Sequence, residues 1–205
     1  MRRVRSLVWS VLICGSVALS ASGDRIAAPA VQVRDVNGRV LSPFAPAGRA
    51  SALFFVQTDC PISNWYAQTI QRVCRDYESR GVGCALIYED LETASSATVL
   101  DAQVRTHLQE YRYTGMVAAV DRSRVVAKRA KASITPQVVV VDRAGDIRYR
   151  GRIDNAYADL GKPRQQVTAH DLRDSLDAIL AGRPVPKPET QALGCYIVDP
   201  AALKR

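Results

Sequence analysis

The segment "ASALFFV", residues 50–56, is a short and nearly continuous apolar run that ends at a polar turn and the pair Cys60-Pro61. Apolar runs of this length without alternation are typical of strands that are buried on both faces of a parallel sheet. After Pro61, apolar side chains recur with a period of about 3.6 residues, which predicts a helix over 62–80. Cys60 is therefore expected at the junction of a buried strand and a helix.

The same alternation of strand and helix continues along the chain. Strands are predicted from short apolar runs, and helices from 3.6-residue periods between them. The predicted strands cover 82–90, 115–121 and 135–142, and the predicted helices cover 97–111 and 123–132. This order indicates an α/β domain with a central mixed β-sheet flanked by helices.

Two turns and one helix complete the prediction. Asn37-Gly38, between alternating residues, predicts an N-terminal β-hairpin. The turn "RAGD" predicts a second hairpin that joins the strand 135–142 to the segment 147–153. A last helix is expected to begin at Thr168, where Thr168 and Asp171 have the spacing of a capping box.

The first 23 residues have the layout of a secretory signal peptide. The basic stretch "MRRVR" precedes an uncharged run that ends in the small residues "ALSASG", as expected for cleavage between Ser20 and Gly23. The alternative is a retained membrane anchor, because the uncharged run approaches the roughly 17–25 residues that span a bilayer. We therefore expect an exported protein, periplasmic or extracellular, with membrane contact only if this segment is retained.

The basic charge of the chain does not predict nucleic-acid binding. The net charge is +8, but three arginines belong to the predicted signal peptide. The other basic residues are scattered, as in "RSRVVAKRAKA", a distribution typical of solvated surface. His107, in the helix predicted at 97–111, is also expected at the surface.

The cysteines indicate disulfide chemistry. Cys14 would leave with the signal peptide, and four cysteines would remain: Cys60, Cys74, Cys84 and Cys195. An oxidising compartment favours disulfides, but four cysteines allow three pairings, and the sequence alone leaves them open. Cys74 and Cys84, close together in the sequence, are either a structural disulfide or two small buried side chains.

Residues 28–182 resemble the thioredoxin superfamily, in particular its exported redoxin branch, which includes the TlpA-like and AhpC/TSA-like proteins. The resemblance rests on the strand-turn-helix "FFVQTDCP", on "ITPQVVVVDRAGDIRYRG", and on the order of elements. It implies a thioredoxin-like domain over 24–182. A Pro-rich C-terminal tail over 183–205 then carries Cys195.

The resemblance also implies roles for residues around Cys60. Cys60 would be the nucleophile, since a thiolate is favoured at a helix N-terminus, although the neighbouring Asp59 opposes its charge. Pro136 would be cis and in contact with Cys60, with the backbone of Thr135 available to an extended substrate. Thr58 and Ser63 would line the same substrate site.

The sequence departs from each branch of the family. Gln57 and Leu53 occupy the positions where the peroxidase branch has Thr or Ser and Pro, so that signature is absent. The oxidoreductase branch has Cys-x-x-Cys, and here Ser63 replaces the second Cys. Asn64 stands where the copper-chaperone branch has its second Cys, so no metal site is predicted.

The missing partner thiol is expected elsewhere in the chain. By the family topology, the last helix runs away from the active-site face, and the extended tail is long enough to bring Cys195 back to Cys60. Cys195 is thus the candidate resolving thiol. The loop 152–171 would lie on the active-site side, where Asp154 and Tyr157 are candidate substrate-binding residues.

These features predict an exported thiol–disulfide oxidoreductase with Cys60 as nucleophile and with Cys195 or an external thiol resolving. The alternatives are a thiol peroxidase of the AhpC/TSA type, in which Cys60 becomes a sulfenic acid, and a non-catalytic binding module. The expected partners are protein or small-molecule thiols and disulfides and an external reductant. No cofactor, metal or nucleic acid is expected.

Overall fold

The computed structural model describes residues 30–90 and 97–199. The predicted signal peptide, residues 1–23, lies outside these residues, as do 24–29 and the chain beyond 199. Among the described helices, none is both long enough and apolar enough to span a bilayer.

The described residues form strands and helices in alternation. The helices are α1 Pro61–Trp65, α2 Ala67–Glu78, α3 Ala97–Glu110, α4 Val125–Ala130 and α5 Asp171–Leu180. The strands are β1 Val33–Arg34, β2 Val40–Leu41, β3 Ala50–Val56, β4 Val82–Tyr88, β5 Val117–Val120, β6 Ile134–Thr135, β7 Gln137–Asp142, β8 Ile147–Gly151, β9 Tyr157–Asp159, β10 Lys162–Pro163 and β11 Cys195–Tyr196.

A mixed five-stranded sheet, in the order β5-β4-β3-β7-β8, is the centre of the fold. Strand β3 pairs in parallel with β4 and antiparallel with β7. Alternate residues of β3 enter two separate apolar clusters: Phe54 and Val56 contribute to one, and Leu53 and Phe55 to the other. The predicted mixed sheet, the two-sided burial of residues 50–56 and the N-terminal hairpin β1-β2 are therefore confirmed.

The predicted helix over 62–80 is interrupted at Tyr66. Tyr66 ends α1 and precedes α2, with a ψ of −6°. Its side chain is buried, and its hydroxyl donates a 2.6 Å hydrogen bond to Asp154 Oδ1. The apolar period continues through Tyr66, so the periodicity could not indicate a break that coincides with a contact 88 residues away.

The predicted capping box at the last helix is wrong. Helix α5 begins at Asp171 and follows His170. Thr168 instead exchanges hydrogen bonds with Asn155: its N–H donates to Asn155 Oδ1, and its hydroxyl accepts from Asn155 Nδ2. Asn155 thus fixes the chain just before the helix and takes Thr168 out of the capping position.

A disulfide joins Cys74 of α2 to Cys84 of β4, with 6.0 Å between the two Cα atoms. It ties the helix that follows Cys60 to the strand beside β3. The bond encloses a short loop, because the two residues are 10 positions apart. A cross-link of this kind restricts the unfolded chain more than the folded one.

Replacing both cysteines, as Cys74→Ala with Cys84→Ala, is expected to lower the free energy of unfolding by about 2–4 kcal/mol. Urea denaturation of the oxidised protein and of the double variant measures this difference. All samples carry Cys60→Ser, so that no bond between Cys60 and Cys195 forms on oxidation, and reduction of the parent protein in this background is a control that should give a similar loss. Equal stability of all three samples would show that the bond has no stabilising effect.

Candidate functional site

Cys60 lies where β3 gives way to α1. It is the N-cap residue of α1, with extended dihedral angles, and Pro61 opens the first turn. Proline is favoured there because its missing N–H would have no helical partner. The Cys60 side chain is only 1% exposed, so the sulfur sits inside the protein.

The peptide bond between Thr135 and Pro136 is cis. The Cys60 Sγ–H donates to the carbonyl oxygen of Thr135 at 3.2 Å. The Thr135 hydroxyl donates to Gln57 Oε1 at 2.7 Å, and Gln57 Nε2 donates to the carbonyl oxygen of Glu89 at 3.3 Å. Gln57 therefore connects the ends of β3 and β4 to the loop that faces Cys60.

The C-terminal tail returns to this loop. Strand β11 pairs antiparallel with β6, so Cys195 lies opposite Thr135 and Tyr196 opposite Ile134. The Cys195 thiol is close enough to Cys60 for each to influence the ionisation of the other, and neither cysteine is in a disulfide. The predicted nucleophile and the predicted resolving thiol are thus neighbours, brought together by a strand pairing that the sequence did not reveal.

The tail is fixed on both sides of Cys195. Before it, the N–H of Arg150 in β8 donates to the carbonyl oxygen of Pro188, and the N–H of Thr190 donates to that of Arg150. After it, the N–H of Ile197 donates to the carbonyl oxygen of Ser133. Further along, Arg124 Nε donates to the carbonyl oxygen of Val198, and Lys128 forms a 3.0 Å ion pair with Asp199.

The electrostatics distinguish the two thiols. Burial acts to raise the pKa of Cys60, but polar interactions of the thiolate with Cys195, with the hydroxyl and N–H of Ser63, and with Thr135 outweigh it, so the pKa is lowered. Burial, the hydrogen bond with Cys60 and the negative charge of Cys60 raise the pKa of Cys195 to about 12. Cys60 therefore loses its proton more easily than Cys195, which stays protonated beside it.

Ser63 lies beside the Cys60 thiol. It is 1% exposed, and among the described residues its hydroxyl makes no hydrogen bond of normal geometry. The same hydroxyl and the Ser63 N–H nevertheless stabilise the thiolate form of Cys60. Asp59, expected to oppose the Cys60 charge, is exposed and acts instead to raise the pKa of Cys195.

Thr58 is held by protein groups. Its hydroxyl donates to Asp90 Oδ1 at 2.5 Å and accepts from Gln103 Nε2. Its carbonyl oxygen accepts from Asn64 Nδ2 at 2.9 Å. These contacts fix the turn that carries Cys60 and leave Thr58 a structural part of the site.

Asn64 extends this support to His107. Because Asn64 Nδ2 donates to Thr58, its Oδ1 accepts from His107 Nε2 at 2.8 Å, and His107 Nδ1 then accepts from the Tyr88 hydroxyl at 2.9 Å. Burial lowers the pKa of His107 to about 4. The prediction that His107 lies at the surface is wrong: its side chain is 4% exposed and braces the Cys60 turn from α3.

The loop 152–171 contributes an aromatic surface next to Cys60. Asp154 is buried and accepts hydrogen bonds from the Tyr66 hydroxyl and the Ala156 N–H. Tyr157 is half-buried and meets Trp65 edge to face, with 5.2 Å between the ring centroids. Trp65, in the helix that Cys60 caps, is 49% exposed, so Asp154 is an internal support while Trp65 and Tyr157 face outward.

A buried charged cluster, formed by Glu89, Asp90, Asp121 and Arg124, lies at the ends of β4 and β5. All four are at most 7% exposed. Arg124 donates to the carbonyl oxygens of Glu89, Asp90, Asp121 and Val198, and its Nε is 3.3 Å from Glu89 Oε2. Burial and the nearby Asp121 raise the pKa of Glu89. Through Arg124, the cluster anchors the tail beyond Cys195.

Several residues of the site were missed in the sequence. The "RSRVVAKRAKA" stretch reads as solvated surface, but Arg124 within it is 2% exposed. An available signal was its position just after the strand predicted at 115–121, which places it at the same sheet edge as the acidic pair "ED" that ends the strand predicted at 82–90. Gln57 and Trp65 carried no such signal, because their roles depend on contacts with residues far along the chain.

Comparisons with known proteins bear on the fold. No protein-family model matches the chain. No curated protein matches it either. An uncharacterized conserved protein from Geobacillus kaustophilus has a similar structure, with 26% identity, a TM-score of 0.68, and coverage of 82% of this chain and 88% of that chain.

Two more distant structures share the architecture. A thioredoxin-like protein from Aeropyrum pernix is 14% identical, with a TM-score of 0.51 over 75% of this chain and 89% of that chain. The fold is thioredoxin-like. A secreted Mycobacterium tuberculosis disulfide oxidoreductase, described as homologous to E. coli DsbE, is 14% identical, with a TM-score of 0.50 over 75% of this chain and 96% of that chain. At this identity the likeness concerns the fold alone.

Cys195→Ala is expected to raise the pKa of Cys60, because it removes the hydrogen bond that most strongly favours the Cys60 thiolate. Cys195→Ser keeps a hydroxyl donor at that position and should shift the pKa less. A pH titration of the ultraviolet absorbance of the thiolate compares the two variants. A Cys60 pKa that is equal in the unmodified protein and in Cys195→Ala would contradict this assignment.

Proposed function

We propose that the protein is an exported thiol–disulfide oxidoreductase of the redoxin type that uses Cys60 and Cys195 as its dithiol. The observation that carries this proposal is the antiparallel pairing of β11 with β6, which sets the Cys195 thiol against Cys60 beside the cis-proline. The M. tuberculosis disulfide oxidoreductase, which has the same fold, is consistent with it.

The reaction begins at the thiol with the lower pKa. The Cys60 thiolate attacks one sulfur of a substrate disulfide, forming a mixed disulfide, and the other substrate sulfur leaves as a thiolate that takes up a proton. The hydrogen bonds from Cys195 and Ser63 make this thiolate available despite its burial. At this stage one of the two substrate sulfurs is a free thiol, and the other is bonded to Cys60.

Cys195 completes the exchange. Once Cys60 is in a mixed disulfide it carries no negative charge, so two of the causes that raise the Cys195 pKa, the charge of Cys60 and the hydrogen bond to it, are gone. Cys195 loses its proton and attacks Cys60 Sγ, which releases the second substrate thiol and leaves a Cys60–Cys195 disulfide. Two substrate thiols form while the two enzyme thiols are oxidised. An external dithiol reductant then restores the enzyme.

Export follows from the predicted signal peptide. A periplasmic or extracellular location places the dithiol among proteins that carry disulfides, and the Cys74–Cys84 disulfide is consistent with such a compartment. A retained N-terminal segment would instead hold the enzyme at the membrane.

Cys60→Ser is expected to reduce insulin disulfides no faster than the uncatalysed reaction, because the attacking sulfur is gone. Cys195→Ser should keep the first attack but accumulate adducts on Cys60. Insulin reduction with dithiothreitol, and mass spectrometry of the oxidised protein, test both. Undiminished turnover in Cys195→Ser, with Cys195 always free after oxidation, would remove it as the resolving thiol and leave an external thiol in that role.

Two further outcomes separate the alternative functions. Stoichiometric consumption of hydrogen peroxide with formation of a Cys60 sulfenic acid would support a thiol peroxidase. An unreactive Cys60 in the folded protein would support a binding module without catalysis.

Ser63→Cys is expected to create a second partner thiol for Cys60, because Ser63 is buried and its side chain stabilises the Cys60 thiolate. In the Cys195→Ser background this change should restore disulfide reduction. The matched control is Ser63→Ala in the same background, which adds no thiol and should restore nothing. Equal rates in the two variants would show that the groove does not accept a local dithiol.

A further inference from the structure

The tail covers the thiol that must react. Cys60 is 1% exposed, and β11 occupies the free edge of β6, the strand whose Thr135 carbonyl oxygen accepts the Cys60 hydrogen bond. A disulfide carried by another protein cannot reach Cys60 while β11 is seated. The substrate must therefore take the place that the tail holds.

We propose that residues 193–198 occupy the substrate site as a bound peptide would, and that substrates are extended protein segments with the pattern Gly-Cys-x-aliphatic that exchange with this strand. The proposal rests on the proposed function, since it identifies the substrate class of the same site. The tail thereby shows which backbone and side-chain features the site accepts around a cysteine that faces Cys60.

The surroundings of Gly194 indicate that a substrate segment must have glycine directly before its cysteine. A Cβ on Gly194 would overlap the Thr135 carbonyl oxygen and would lie 2.7 Å from the Thr135 carbonyl carbon and 3.2 Å from Pro136 Cδ. The first two contacts are with backbone at a cis peptide bond that also holds Cys60, so they cannot move without disturbing the thiol. Glycine is the residue that lets an extended segment approach this closely.

The residues after the cysteine set the rest of the pattern. Tyr196 is 77% exposed, so the position directly after the cysteine accepts any side chain. Ile197 packs against the apolar cluster that contains Phe55 and Val139, and its N–H donates to the carbonyl oxygen of Ser133. An aliphatic side chain at this second position gains the burial that Ile197 has.

Strand exchange then orders the reaction. A substrate segment displaces β11, and the Cys60 thiolate, still stabilised by Ser63 and Thr135, attacks the substrate disulfide. The tail then returns as a strand and brings Cys195 against the mixed disulfide. The tail competes with the substrate before the first attack and displaces the product strand during resolution. No reagent is required beyond those of the dithiol–disulfide exchange described above.

Peptide binding to full-length chains tests this inference without redox chemistry. The probe is a fluorescein-labelled peptide with the sequence of residues 191–199 and Ser in place of Cys195, and every chain carries Cys60→Ser. Adding Gly194→Val to the chain should unseat its own tail and lower the Kd of the probe at least about tenfold, by fluorescence polarisation. The matched control is Gly83→Val, where a Cβ meets nothing within 4 Å among the described residues, and it should leave the Kd unchanged.

A second peptide and a second variant keep the result decisive. A peptide with Val at the position of Gly194 should bind the unseated chain at least about tenfold more weakly. If thermal unfolding shows that Gly194→Val has lost its fold, Ile197→Ala replaces it, since it removes the packing of the tail against the apolar cluster and leaves the probe peptide unchanged. Equal binding of the two peptides, or equal Kd values in the tail-loosened and control chains, would overturn the inference. Because no step is redox, binding with failed insulin reduction would count against the proposed function alone.

Discussion

The carbonyl oxygen of Thr135 is the point on which the site depends. It accepts a hydrogen bond from the Cys60 thiol, and it belongs to the cis peptide bond. Thr135 itself pairs with Cys195 in the strand pair β6-β11. Three segments that are far apart in the sequence meet at this one backbone group. Gln57 holds Thr135 from the other side through its hydroxyl, so the position of the carbonyl is fixed by the central sheet and not only by the loop.

The two thiols differ although they are neighbours. Cys195, Ser63 and Thr135 favour the thiolate of Cys60, and together they overcome the cost of burying its charge. Cys195 has Cys60 as its hydrogen-bond partner and experiences the negative charge of Cys60 and of Asp59. The order of attack therefore follows from the environment of each sulfur. Ser63 contributes to this order by stabilising a charge at the position where a second thiol was expected.

The sequence predicted the features that are set by neighbouring residues, and it missed those that depend on contacts with distant residues. Residues 50–56 form β3 with the predicted bounds. Seven nearly continuous apolar residues that end at a polar turn are typical of a strand that is buried on both faces. The break at Tyr66 and the burial of His107 depend on partners 88 and 43 residues away, which no local pattern records. The chain length indicated that Cys195 had the reach to return to Cys60. The pairing with β6 additionally requires the close contact of Gly194, and that is a property of the folded backbone.

The attachment of the tail along β8 has a consequence for competition at the site. Hydrogen bonds at Pro188 and Thr190 fix the chain a few residues before Cys195, so the segment that can swing away is short. A tethered strand on a short connection is present at an effective concentration of about millimolar or more. A substrate strand in free solution must outcompete that local concentration, so chance encounters with weakly matching cysteines leave Cys60 covered. The short connection thus sets a minimum affinity that a substrate needs to displace the tail, and this minimum depends on the length of the chain between Thr190 and Cys195.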